Sequence, residues 1–163
     1  MGEFMIEVVQ KLIKLNKTIS TMESCTGGML ASTITNVEGS SEIFKFGAVT
    51  YSNEYKIKLG VNIDVIDKYS VYSKEVSDEM SACICRYTNS SYGVGITGKL
   101  NRIDINNDYG PSNIVYISIY DSDLNKFYNQ TVTVSSSNRE ENKKAVIKII
   151  IDMLKNIIKY VIK

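Results

Sequence analysis

An α/β fold, with a mixed sheet between layers of helices, is what this sequence predicts, and three observations carry the prediction. Short β-rich runs alternate with amphipathic helical patterns along the chain, the pattern of a sheet covered by helices. The last two β-rich runs, Asn113 to Tyr120 and Phe127 to Val134, are separated only by Asp-Ser-Asp-Leu-Asn-Lys, so they pair as an antiparallel hairpin and make the sheet mixed. The chain has 163 residues, 44% of them hydrophobic, enough for one sizeable core and therefore one domain, taken here as residues 5–163. Met1 to Phe4, ahead of a second methionine at Met5, are compatible with an artificial extension.

Each element has its own signal. From Ile6 through Leu15, apolar Ile6, Val9, Leu12, Ile13 and Leu15 recur at helical spacing between lysines, which predicts an amphipathic helix. Thr18 to Met22 is a short buried strand, and Thr26 to Thr35 a helix opened by a glycine pair, with Met29, Leu30, Thr33 and Ile34 inward. Asn36 to Ser41 is loop by composition. Phe44 to Tyr51 is rich in aromatic and β-branched residues and forms the second strand. Ser52 or Asn53 caps the next helix, which places Lys56 near its start; Asn62 to Tyr69 is another short helix. Ser73 caps a longer one through Tyr87, with Val76, Met80, Cys83, Ile84 and Tyr87 on one face. Tyr92 to Thr97 is a third strand, followed by a polar loop from Lys99 to Tyr109. After the hairpin, a final helix from Arg139 to Ile162 carries Val146, Ile149, Ile150, Met153, Ile157 and Val161 as its core stripe.

Composition excludes several function classes. The 19 lysines and arginines nearly balance 18 aspartates and glutamates, so no global field favours nucleic acid or an anionic membrane. The most apolar stretch, Ala145 to Ile162, is broken by Lys148, Asp152, Lys155 and Lys159, which rules it out as a membrane span. With no charged-then-apolar signal segment, the protein is expected in the cytoplasm. Its 3 cysteines are an odd number without metal-ligand spacing and are expected to be reduced thiols; no metal and no cofactor are expected. The absence of histidine removes Ser-His-Asp and Cys-His chemistry and histidine-ligated metals. Any general base must be Lys, Asp, Glu or Tyr.

The stretch Thr21 to Gly28 is the chemical focus. A strand that ends at a glycine-rich turn opening a helix offers backbone N–H groups to an anion, or to an oxygen becoming one. Ser24 is there either a nucleophile or a helix N-cap. Lys56, near the start of a helix after the second strand, is the base candidate, because the dipole and burial both disfavour its charged form; otherwise it is a surface charge. Tyr51 and Tyr55 could hold or relay the proton. Cys25 is the rival nucleophile or a small buried residue. Thr97-Gly98 contacts a ligand phosphate or turns the chain, and Arg139 clamps an anion or is solvated.

Glu23-Ser24-Cys25-Thr26-Gly27-Gly28, Gly39-Ser40-Ser41, Val49-Thr50-Tyr51-Ser52-Asn53-Glu54 with Lys56, Gly60-Val61, Val71-x-Ser73-x-Glu75-Val76 and Thr97-Gly98 together resemble the C-terminal domain of CinA and its stand-alone relatives, the nicotinamide-nucleotide amidohydrolases. The likeness runs in order to Gly98, resumes at Val115-Tyr116-Ile117 and is placeable near Asn138-Arg139. It implies a three-layer α/β/α domain that hydrolyses the carboxamide of nicotinamide mononucleotide to the nicotinate mononucleotide and ammonia. It also implies Ser24 as nucleophile, Lys56 as general base and Tyr51 beside them, with Thr26, Gly27, Gly28, Thr97, Gly98 and Arg139 on the substrate. The implied partner is a small nucleotide, with no nucleic acid and no membrane; assembly into a homo-oligomer is compatible with the sequence. The family's Gly/Pro-rich loop after Thr-Gly is replaced here by Lys99 to Tyr109 without glycine or proline, leaving only Gly110-Pro111. A second reading is therefore a relative without turnover that binds a nucleotide or a protein.

Overall fold

The computed structural model describes residues 1–102, 105, 106 and 111–161. Within the expected loop, Ile103, Asp104 and residues 107–110 lie outside the described residues, as does Ile162 at the expected end of the last helix. One sheet contains strands β1 (Ile19–Glu23), β2 (Phe44–Val49), β3 (Tyr92–Gly98), β4 (Ile114–Asp121) and β5 (Lys126–Thr133). The helices are α1 (Gly2–Leu15), α2 (Met29–Thr35), α3 (Asn53–Lys58), α4 (Ile63–Tyr69), α5 (Lys74–Thr88) and α6 (Arg139–Lys159).

The strand order is β2-β1-β3-β4-β5. β1 pairs in parallel with β2 and β3, whereas β4 runs antiparallel to both β3 and β5, so the expected hairpin and mixed sheet are present. Two apolar cores cover opposite faces. On one, Met5, Val9 and Leu12 of α1, Leu30 and Ile34 of α2, and Val146, Ile150 and Leu154 of α6 pack on Val94, Ile96, Val115, Ile117 and Ile119. On the other, Met22 packs with Val61, Ile66, Val71, Val76, Met80 and Ile84. This is a three-layer α/β/α arrangement.

β3 shows how the second layer comes so close. Its alternate residues Val94 and Ile96 serve the first core, while Gly93 and Gly95 lie under α5; a Cβ on Gly95 would stand 2.3 Å from Ser77 O. Only hydrogen at these positions lets the helix backbone rest on the strand.

Several expected faces are rotated. α1 begins at Gly2 and buries Met5 and Val8, leaving Ile6 exposed. α6 buries Ile147, Ile151, Leu154 and Ile158, with Ile149, Met153 and Ile157 at the flank of the core. Periodicity locates an apolar helix well, but when β-branched residues fill most positions its phase is set by the neighbours it meets. Tyr87, expected in the core face of α5, is exposed and rests its ring 5.4 Å from Phe46. α2 starts at Met29 because Gly27 and Gly28 take φ values of 62° and 92°, a left-handed conformation that no α-helix contains.

Candidate active site

In open α/β sheets, ligand sites form beyond the carboxyl ends of the strands where successive connections leave to opposite faces. That point here is β1: the chain leaves it through α2, in the first helical layer, and runs from β2 to β3 through α4 and α5, in the second. Ser24 follows β1 directly, and its N–H donates to Ile96 O at 3.0 Å. Alternation along the strand sends consecutive side chains to opposite faces. Glu23 accordingly meets α2, and Ser24 meets Lys56 of α3.

Lys56 is buried, with 2% of its surface exposed. Its Nζ donates to Ser24 Oγ at 3.1 Å and to Thr50 O at 2.7 Å. The carbonyl that holds the amine is itself placed by β1, since Thr50 N–H donates to Glu23 O at 2.8 Å. Ser52 caps α3 by accepting from Tyr55 N–H at 3.4 Å. With only six residues in α3, the helix dipole contributes little at Lys56; burial is the larger influence on this side chain.

Ser24 and Cys25 open onto a cavity of about 430 Å³, whose far walls bring Tyr51, Tyr72, Gly98, Lys99, Arg102 and Arg139 together. Lys99 is buried with its Nζ 5.1 Å from the centre of the Tyr72 ring. Arg139, the first residue of α6, donates from Nη2 to Tyr51 Oη at 2.9 Å and from Nη1 to Leu100 O, so it ties two cavity walls. The loop after Gly98 is anchored at its root by asparagines. Asn101 N–H donates to Asn113 Oδ1 at 2.7 Å, and Asn142 Nδ2 donates to Asn101 Oδ1 at 2.9 Å. Asn101 and Asn113 both take positive φ, 66° and 62°, a conformation asparagine tolerates where a turn would otherwise use glycine.

Cys25 is buried, and its thiol is pushed up from 9.0 to about 12, chiefly by desolvation; the charges of Arg139 and Lys56 pull the other way and do not offset it. A thiol protonated at neutral pH is a poor nucleophile.

Of the expected site residues, the structure brings together Ser24, Lys56, Tyr51, Gly98 and Arg139. Three of the donors expected at the turn are engaged elsewhere. Gly27 N–H donates to Ser24 O at 3.0 Å, and Gly28 N–H and Thr26 Oγ1 donate to Glu23 Oε2 at 3.2 Å and 2.6 Å. Thr97 Oγ1 donates to Val71 O at 2.8 Å and is buried, so it braces the start of α5 and does not face the cavity. Sequence reasoning missed Lys99, Tyr72 and the role of Glu23. Glu23 alone carried a signal: a charged residue ending a buried strand needs partners. Among the described residues, no three of Cys, Asp and Glu come together as a metal site, and no helix is long and apolar enough to cross a membrane.

Ser24 and the buried Lys56 of α3 thus meet beyond the carboxyl end of β1, in a three-layer α/β/α domain. The chain belongs to the CinA C-terminal domain family, whose model matches residues 3–158. It is 44% identical over 115 residues to a competence-damage inducible protein of Alkaliphilus oremlandii, covering 69% of this chain and 28% of that one. It is 41% identical over 122 residues to one of Clostridium botulinum, covering 73% and 30%. The chain thus spans under a third of the length of these curated relatives. Among solved structures, its fold is similar to that of a CinA superfamily protein of Klebsiella pneumoniae, with a TM-score of 0.89 at 22% identity over 98% of both chains. It is likewise similar to that of a competence/damage inducible protein of Agrobacterium tumefaciens, with a TM-score of 0.87 at 23% identity over 95% and 93%.

Proposed function

We propose that this domain is an amidohydrolase that converts the carboxamide of nicotinamide mononucleotide to the carboxylate, releasing ammonia through a Ser24 acyl-enzyme. The observation that carries the reading is the 3.1 Å contact between Lys56 Nζ and Ser24 Oγ in the wall of the cavity. Neutral Lys56 takes the Ser24 proton as Oγ attacks the amide carbon, then returns it to the leaving nitrogen. Water, deprotonated by the same amine, cleaves the ester and restores Ser24. Thr50 O keeps the amine aimed throughout. Arg139 and Lys99 supply positive charge to a cavity whose described lining holds no carboxylate, which suits a phosphorylated substrate.

The test is ammonia release from nicotinamide mononucleotide by the wild-type protein beside Ser24→Ala and Lys56→Ala. Wild-type turnover lost in both variants is the expected result. Turnover surviving in Ser24→Ala would refute the nucleophile. Nucleotide binding with no ammonia at high protein concentration would instead assign the domain to binding without turnover, the reading that the glycine-free loop after Gly98 favours.

A further inference from the structure

The buried carboxylate beside the nucleophile has no part in the chemistry above. Glu23 is 0% exposed, and its carboxylate accepts from four donors. Its Oε2 accepts from Thr26 Oγ1 at 2.6 Å, Gly28 N–H at 3.2 Å and Leu30 N–H at 3.1 Å. Its Oε1 accepts from Ala31 N–H at 2.8 Å. The start of α2, where an external anion would otherwise be attracted, is therefore filled from within.

Glu23 also stands at the junction of nucleophile and base. Its side chain pins the turn that follows Ser24. Its carbonyl accepts from Thr50 N–H at 2.8 Å, and the Thr50 carbonyl accepts from Lys56 Nζ at 2.7 Å. One residue thus fixes both partners of the 3.1 Å contact. Ser24 N–H on Ile96 O, Gly27 N–H on Ser24 O, and Gly28 N–H on Glu23 complete the bracing of this turn.

We propose that Glu23 is the positioning residue of this site: it serves as the internal anion of the Ser24–Gly28 turn and so aligns Ser24 with Lys56. This rests on the reading of Ser24 as nucleophile. Alignment of a nucleophile with its base acts on the transition state and not on ground-state binding, so disturbing it lowers kcat and leaves KM in place.

Glu23→Gln is the direct test, because it keeps the shape but turns one acceptor oxygen into a donor that faces an N–H group. Thr26→Val, which removes one donor from the carboxylate, is the milder second variant. Ile151→Val serves as a fold control, destabilised in the core away from the turn. Kinetics on nicotinamide mononucleotide are read beside the rate at which a fluorophosphonate probe adds to Ser24, followed by intact mass, and beside product binding stoichiometry by calorimetry. The expected result for Glu23→Gln is a fall in kcat of between about 10- and 100-fold, KM within about 2-fold, stoichiometry still one site per chain, and labelling slowed in parallel; Thr26→Val falls between it and wild type. A kcat and a labelling rate within about 2-fold of wild type in Glu23→Gln would overturn the inference, as would an equal loss in Ile151→Val. If wild type labels at Ser24 but releases no ammonia, the substrate reading fails, and the labelling rates still decide the role of Glu23. Absence of labelling in wild type would refute the nucleophile and this inference with it.

Discussion

Ser24 and Cys25 are adjacent, and both line the cavity, but they meet different surroundings. The strand's alternation aims Ser24 at Lys56, while burial pushes the Cys25 thiol to about 12. At pH 7, iodoacetamide should leave Cys25 unmodified in the native protein for hours, whereas the denatured chain takes up one group on each cysteine; native alkylation at the rate of a free thiol would show that the pocket activates it. Lys56 gives a second residue-scale prediction. Replacing a buried amine by an apolar side chain of similar shape often costs little stability, since the penalty of taking the amine out of water disappears too. Lys56→Met should therefore keep the melting temperature within a few degrees of wild type while ammonia release falls by between about 100- and 10,000-fold. A collapse of the fold, measured by calorimetry, would mean that Lys56 is mainly structural. The pairing of Ser24 with Lys56 was legible through the family resemblance, because on spacing alone Ser24 also reads as a helix cap and Lys56 as a surface charge. The engagement of the turn's donors by Glu23 was not, since a strand-terminal glutamate has the same spacing whether its carboxylate turns to solvent or back onto the next helix.

Among the elements, caps were the most legible feature. Ser73 accepts from Val76 N–H at 3.2 Å, Asn62 from Asp64 N–H at 2.9 Å, and Ser52 caps α3, each where a small polar residue precedes an apolar helical pattern. The close contact of α5 with β3 was not legible. Gly93 and Gly95 look like turn residues in a strand, and only the approach of Ser77 and Ser81 shows what they are for. A methyl group on Gly95 would lie 2.3 Å from Ser77 O and 2.6 Å from Ser81 N, and backbone atoms cannot rotate away as a side-chain tip can. Gly95→Ala should destabilise the protein by about 3 kcal/mol or more, read as a lowered urea midpoint at unchanged slope. A loss below about 1 kcal/mol would mean that α5 can slide off the strand.

At the scale of the whole molecule, the layered sheet could be read from alternating elements, but the cavity could not. Its walls come from the ends of β1 and β3, the segment before α3, and the first residue of α6, and no local pattern ties Arg139 to Tyr51 across the chain. The same packing that assembles these walls buries acidic groups in two cores, and that has a consequence for the molecule as a unit. Cys25, Cys83, Cys85 and Tyr92 are all pushed above their ordinary values, each first by desolvation; Cys25 and Tyr92 reach about 12. Below about pH 8 these groups are protonated in folded and unfolded chains alike and contribute little pH dependence. Above it the unfolded thiols, and from pH 10 the unfolded phenol, release protons that the folded state still holds. The native state then binds more protons than the unfolded one, so stability falls as pH rises, by about 1.4 kcal/mol per pH unit for each group fully in its window. Urea denaturation at pH 7, 8, 9, 10 and 11 should show a midpoint steady to about pH 8 and falling more steeply thereafter. Cys83→Ala should shift the whole curve but flatten its alkaline limb, because the group responsible for part of the slope is gone. A midpoint constant or rising from pH 9 to 11 would show that these side chains reach water in the folded state, and with it that the two cores are looser than their burial describes.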